Sequence, residues 1–254
     1  MARQTRCDPE AIVYLIDNTF TSIDGDFEPN RLVAMIRAAT YHANHMVNQN
    51  KDSKVACVTY GEGECGFRVS FTSDLRRFQN CADIIEPAGK SLLMHALQSS
   101  ILALRTIPSP NDKVKKIIVF VSSPPDLSPA DVTLIANAAS EDKIILSFVI
   151  LGEETPKTNI LKGLLSKHSD SHFIVAPSSG GLLSDQVLAS HLGPGATKAK
   201  ISIQEYTRNT HVFVYGGNIK HYQDNGTEIR PSDLSRSKHT RQKKQKKPPD
   251  TKKL

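Results

Sequence analysis

The chain has 254 residues, 39% of them hydrophobic, and carries a formal net charge of +6 from 32 Lys and Arg against 26 Asp and Glu. No apolar run approaches the ~18 residues that a membrane-spanning helix requires, and Cys7, Cys57, Cys65 and Cys81 form no Cys-x-x-Cys pair, so reduced thiols are expected in place of zinc or disulfides. Met1 to Arg6 is followed by no apolar signal-peptide core, and the composition leads to the expectation of a protein of the cytoplasm and nucleus.

In chain order, the apolar stretch Val13-Tyr14-Leu15-Ile16 reads as a first strand that stops at Asp17-Asn18-Thr19. Leu32, Ile36, Ala39, Ala43 and Val47 then recur at the helical period, and Pro29 suits the first turn of that helix. Lys54 to Tyr60 and Phe67 to Thr72 read as two strands joined by the glycine-rich link Gly61 to Gly66. A link this short predicts a hairpin, which makes one strand antiparallel at a sheet edge. Leu93, Leu97, Ile101 and Leu104 mark a second helix, and Ile117 to Val121 a strand covered on both faces.

Ser128-Pro129 is a helix start for Val132, Ile135 and Ala139, and Ile144 to Leu151 is another buried strand. Thr155-Pro156 repeats the start signal ahead of Ile160, Leu161, Leu164 and Leu165, followed by a strand at Phe173 to Ala176 and a last helix from about Ser184 to Leu192. The order predicts a doubly wound α/β fold: a six-stranded, mostly parallel sheet with one antiparallel edge strand and helices on both sides. In such sheets the carboxyl edge of the strands is where ligands or partners are met. The polar groups after the first strand lie on that edge.

Gly193-Pro194-Gly195 interrupts the helical pattern, dividing the chain into an arm over 1–10, an α/β domain over 11–193, an extension over 194–234 and a tail over 235–254. The extension is β-prone at Ile201 to Ile203, His211 to Tyr215 and Ile219 to Tyr222, which suggests a small hairpin or a strand that orders on a partner. The tail holds nine Lys or Arg against one acid, a balance of +8, leaving the first 234 residues at −2. Arg241, Lys243, Lys244, Lys246 and Lys247, ahead of Pro248-Pro249, read as a nuclear-localisation or polyanion-binding run in a disordered segment. No aromatic residues are interleaved there for base stacking, so no specific nucleic-acid partner is expected.

Asp17-x-Thr19-x-Thr21 at a strand end, with the edge hairpin and six strands, resembles a von Willebrand factor A domain. More closely, Asp17-Asn18-Thr19, Asp24-Gly25-Asp26-Phe27-x-Pro29-x-Arg31, Gly152-Glu153-Glu154, Val175-Ala176-Pro177 and Leu183-Ser184-Asp185 resemble the non-ATPase, ubiquitin-receptor subunits of the proteasome regulatory particle. The similarity runs from Ala11 to Pro194. It implies a non-catalytic scaffold that bridges the lid and base of the particle in ubiquitin-dependent proteolysis. Asp17, Asn18, Thr19, Asp26 and Arg31 are the expected partner-binding residues. Family members carry a ubiquitin-interacting helix after the A domain, with an acidic run and a Leu/Ala/Ser face; the acids beyond Gly193, such as Glu205, Asp224 and Glu228, are scattered. Ubiquitin or polyubiquitin binding is therefore expected to be weak or indirect.

The resemblance also raises a hard-cation site built from three loops. Asp17, Thr19 and Thr21 satisfy the first, but near Gly89 only Ser91 offers a hydroxyl, and after Val121 the chain reads Ser122-Ser123-Pro124-Pro125 with Asp126 far along. No metal or cofactor is assigned; Asp17 and Thr19 are expected to satisfy backbone donors at the strand end. His42 with His45, and His168 with His172, lack a third ligand at a diagnostic spacing. The alternatives are an A-domain subunit of a DNA-repair or transcription complex, for which the tail speaks, and a cation-dependent ligand-binding A domain. A nucleotide enzyme is disfavoured because Gly61 to Gly66 joins two strands and not a strand to a helix.

Overall fold

The apolar runs pair in register into one sheet. In the computed structural model the described residues are 8–107, 113–165, 171–178 and Leu183, with two short strands at 212–215 and 218–221. The strands β1 (Glu10–Ile16), β2 (Lys54–Thr59), β3 (Gly66–Thr72), β4 (Val114–Val121), β5 (Ile144–Leu151) and β6 (His172–Ala176) lie in the order β3-β2-β1-β4-β5-β6. All neighbours are parallel except β2 and β3, the expected antiparallel edge hairpin. β4 begins three residues before the apolar run, because Val114, Lys115 and Lys116 pair with the start of β1.

Each face of the sheet has its own core. Helices α1 (Arg31–Gln49) and α2 (Leu75–Asn80) cover one face, where Tyr14, Ile16, Met35, Phe78 and Phe120 are buried together. Helices α3 (Leu93–Arg105) and α4 (Pro129–Glu141), with the single turns α5 (Pro156–Asn159) and α6 (Lys162–Leu165), bring Leu93, Leu97, Ile135 and Leu164 onto the other. Burial of each such Leu or Ile contributes about 1.5–3 kcal/mol relative to exposure. The five residues that define α1 by spacing are all buried, as are those of α3 and α4.

The helix starts follow local chemistry. Ser128 and Thr155 form capping boxes with Asp131 and Thr158, each with proline at the first helical position. At α1 the expectation is corrected: Pro29 lies outside the helix, because the side chain of Asn30 accepts from the Val33 amide at 2.9 Å and so takes the cap position. After Thr155 the expected single helix is two single turns, and Leu161 and Leu164 still bury. Among the described residues three elements lie outside the sequence expectation: α2, whose one buried residue is Phe78, and 3₁₀ turns at Phe20–Ile23, directly after β1, and at Cys81–Ile84, directly after α2.

The chain divides into two compact units, Met1–Ala196 and Thr197–Leu254. In the second, β7 (Val212–Tyr215) pairs antiparallel with β8 (Asn218–His221), a small hairpin within the β-prone extension. The helix expected over 184–192, the strand at 201–203 and the basic run 241–247 lie outside the described residues.

Candidate functional site at the carboxyl edge of the sheet

β1 delivers Asp17 to the point where β1, β2 and β4 end side by side, and there its carboxylate is fully used. Oδ1 accepts from the Thr19 amide at 3.0 Å and the Thr19 hydroxyl at 2.7 Å. Oδ2 accepts from the amides of Ser122 and Ser123 at 2.8 and 2.9 Å and from the Ser123 hydroxyl at 2.8 Å. Since Thr19 Oγ1 donates to Asp17, the 2.9 Å contact between Thr19 and Thr21 makes Thr21 the donor to Thr19. One carboxylate therefore satisfies five donors at the ends of β1 and β4, three of them backbone amides, more than the strand-end cap that spacing alone suggests.

Asn18 ties the same strand end in the opposite direction. Its Nδ2 donates to the Glu86 carbonyl at 2.8 Å, its Oδ1 accepts from the Gly61 amide at 2.6 Å, and its own carbonyl accepts from the Ala88 amide at 2.6 Å. Glycine is required at 61 by proximity: a Cβ there would lie 2.8 Å from the Ala88 carbonyl and 2.9 Å from Asn18 Oδ1. Next to it the Tyr60 hydroxyl donates to the Phe120 carbonyl at 2.6 Å; burial, then the nearby Asp17 carboxylate, push the Tyr60 phenol well up and keep it a neutral donor.

Arg31, the first residue of α1, clamps the loop between β1 and the helix. Its guanidinium grips Asp26 with two bonds of 2.7 and 2.8 Å and donates to the Ser122 carbonyl at 2.7 Å. These bonds hold the Asp26 carboxyl below its ordinary range. Gly152, at φ 92°, leaves room for this fork: a Cβ there would stand 3.3 Å from Arg31 Nη2.

Of the five residues singled out for partner binding, Asp17, Asn18 and Thr19 are buried, with their side chains bonded inside the domain. Asp26 and Arg31 are partly exposed, with side chains 34% and 17% accessible. Beside the buried trio two apolar groups are exposed, Phe20 and Ile23, 64% and 56% accessible, and Ile84 at the start of the loop ahead of α3 is exposed as well. Phe20 and Ile23 follow the buried trio directly on the first 3₁₀ turn, and nothing in the sequence marks them, since an apolar side chain carries no sign of whether it will be covered. Phe20 forms one wall of a cleft of about 420 Å³ whose other walls include Leu92, Pro124, Glu62, Lys90 and Asp126.

The donor set does not fit the hard cation that an A-domain resemblance raises. Both oxygens of Asp17 already accept from amides and hydroxyls, and the loop after β4 continues from its serines into two prolines where an anionic ligand is needed. Among the described residues no group of three or more His, Cys, Asp or Glu could hold a metal ion. The α1 histidines diverge: His42 is buried with Nδ1 2.7 Å from the Tyr14 hydroxyl, while His45 sits 2.7 Å from Gln49. Cys57 and Cys81 are free and buried, and their mutual hydrogen bond, then burial, push the Cys57 thiol well up.

Known proteins share this fold. Residues 12–125 match the model of the von Willebrand factor type A domain. The chain is 27% identical over 191 residues to the 26S proteasome non-ATPase regulatory subunit 4 homolog of Arabidopsis thaliana, covering 73% of this chain and 49% of that protein. It is 24% identical over 193 residues to the 26S proteasome regulatory subunit rpn10 of Schizosaccharomyces pombe, covering 75% and 79%. It thus spans about half the length of the first relative and most of the second. The solved SpRpn10 VWA domain shares the fold with a TM-score of 0.65 at 24% identity, over 74% of this chain and 99% of that domain. BatB from Bacteroides thetaiotaomicron shares it at 0.55 and 14% identity, over 72% and 100%.

Proposed function

We propose, from a von Willebrand factor type A domain homologous to these proteasome regulatory subunits, that the chain is a non-catalytic scaffold of the 26S proteasome regulatory particle, bridging lid and base in ubiquitin-dependent proteolysis in the cytoplasm and nucleus. The observation that carries the reading is the carboxyl edge itself. Its buried carboxylate, Asp17, is taken up by five hydrogen bonds that hold the ends of β1 and β4 together. Rigid loops braced in this way present a fixed surface, which is what a scaffold needs.

Asp17, Asn18 and Thr19 act in this proposal by shaping the edge, and Asp26 and Arg31 by shaping it and meeting the partner. Direct capture of ubiquitin by this chain is weak, since its residues after Gly193 place scattered acids beside a dense basic run. The run Arg241 to Lys247 serves nuclear localisation. The test is affinity capture of the tagged chain in low salt with ATP, followed by mass spectrometry. Lid and base subunits together are the expected result; recovery of a different complex overturns the assignment and leaves the fold standing.

A further inference from the structure

The carboxyl edge combines an open apolar cleft with a surplus of negative charge. Phe20, Leu92 and Pro124 line the cleft, Ile23 lies exposed beside Phe20 on the same turn, and Glu62 and Asp126 stand at its walls with Lys90 as the single counter-charge there. The bias extends beyond the walls: the edge loops 17–30, 60–65, 84–92, 122–128 and 152–155 hold ten acids against one lysine. Of these acids Asp17 is consumed internally, Asp24 and Asp26 are paired by Arg31, Glu64 by Arg68 and Glu154 by Lys162, while Glu62 and Asp126 face solvent. The cleft is within the ~300–1,000 Å³ range of ordinary binding sites.

We propose that this cleft docks a segment of a partner protein in which a bulky apolar side chain is flanked by lysines or arginines. The inference rests on reading the carboxyl edge as the partner-binding edge, and it supplies the chemistry of what binds there. The apolar anchor fills the space beside Phe20 and removes Phe20 and Ile23 from water, the term that fixes residence. The flanking cations meet Glu62 and Asp126, which speeds encounter and rejects acidic partners. The anchor also separates this occupant from a merely basic one: Ser235 to Lys253 of this chain is rich in Lys and Arg but holds no Phe, Leu, Ile, Val or Met.

The test titrates the full-length chain with four short synthetic peptides and follows fluorescence anisotropy. The first has a Leu-Phe centre flanked by lysines, the second the same centre flanked by glutamates, the third lysines around Ser-Ser, and the fourth is the natural segment Ser235 to Lys253. The first is expected to bind at least about tenfold more tightly than the others, and to weaken about tenfold between low and high salt. Phe20→Ser with Ile23→Ser, and separately Glu62→Gln with Asp126→Asn, each weaken it about tenfold; all four positions are solvent-facing, so these variants fold. Equal binding of the first and third peptides overturns the apolar anchor, and preference for the fourth assigns the cleft to the chain's own basic segment. Indifference to both double variants overturns the site. Co-sedimentation with 26S particles, run in parallel, separates the two readings. A chain that binds the first peptide at this cleft but no particle refutes the proteasomal assignment alone, whereas one that joins the particle unaffected by either double variant refutes the cleft alone.

Discussion

At the carboxyl end of the strands nearly all the loop charge is acidic, whereas at the amino end the described residues 8–10, 50–54, 73–77, 105, 113–116 and 141–143 hold nine basic side chains against six acids. Part of this polarity follows from the fold. α1, α3 and α4 begin at the carboxyl edge, where their exposed amides favour negative charge, and end at the opposite one, where carbonyls favour cations. The two edges differ more in how their charges are used. At the carboxyl edge a buried carboxylate holds two strand ends together, while at the amino edge the ties are ion pairs of decreasing burial, Lys116 with Glu10 and Arg105 with Asp142. A charge counts by the donors it satisfies, and the following substitutions rank the edges on that scale.

The largest effect belongs to Asp17. Asp17→Ala leaves the amides of Ser122 and Ser123 and the Thr19 pair without their acceptor, and each unsatisfied buried donor costs about 1–3 kcal/mol, so a loss of about 3 kcal/mol or more is expected by urea unfolding. Asp17→Asn keeps one acceptor oxygen but turns an NH₂ toward the donors on the other side, and falls between the two. A loss below about 1 kcal/mol for the alanine variant would show that water replaces the carboxylate and that the edge is not braced by it.

Next comes Lys116, whose Nζ lies 2.7 Å from Glu10 Oε1, with side chains only 17% and 13% exposed and Glu10 Oε2 buried without a hydrogen bond. Lys116→Met strands that carboxylate at the start of β1, at an expected cost of about 2 kcal/mol. Adding Glu10→Leu should recover most of it, since an apolar pair replaces an ion pair at little cost. If the double variant is as unstable as the single one, packing at the amino edge matters and the charges do not.

Arg31→Ala follows, at about 1–2 kcal/mol, because the fork to Asp26 is partly exposed and screened. Its signature is the pH dependence. The folded Asp26 carboxyl is held below its unfolded value of about 3.9, so its contribution is present above that pH and disappears as the pH falls through the lower folded value. The gap between wild type and Arg31→Ala should therefore narrow below about pH 4. An unchanged gap at acid pH would assign the effect to the Ser122 carbonyl contact instead.

How much of this was readable in the sequence varies with the range of the interaction. The continuous run at Ile144 to Leu151 and the spacing of Leu32 to Val47 report burial on adjacent residues, so strands and long helices could be placed. α2 could not, because six residues with one buried aromatic have no period. Asp17 was visible as a polar stop at a strand end, but the serines it binds are 105 and 106 residues away, and no local pattern encodes that pairing. Phe20 and Ile23 escaped for the converse reason: an apolar side chain in the sequence carries no sign of whether it will be covered.

The smallest effect is expected where the amino edge is wettest, and it decides whether the comparison holds. Arg105, in the last turn of α3, bonds Asp142 at 2.6 Å beyond the end of α4, with its side chain 42% exposed. Two weak terms act there, a screened surface pair and a cation near a helix carboxyl end, and together they contribute about 0.5 kcal/mol. Arg105→Ala should therefore lose about that much at low salt and almost nothing at ~0.5 M, where the screening length falls to a few ångströms. Asp17→Ala, whose cost is unmet hydrogen bonds and not long-range attraction, should be nearly indifferent to the same salt. A salt-insensitive loss at Arg105 would mean that its bond locks α3 to α4 sterically, and the amino edge would then be braced in the same way as the carboxyl one.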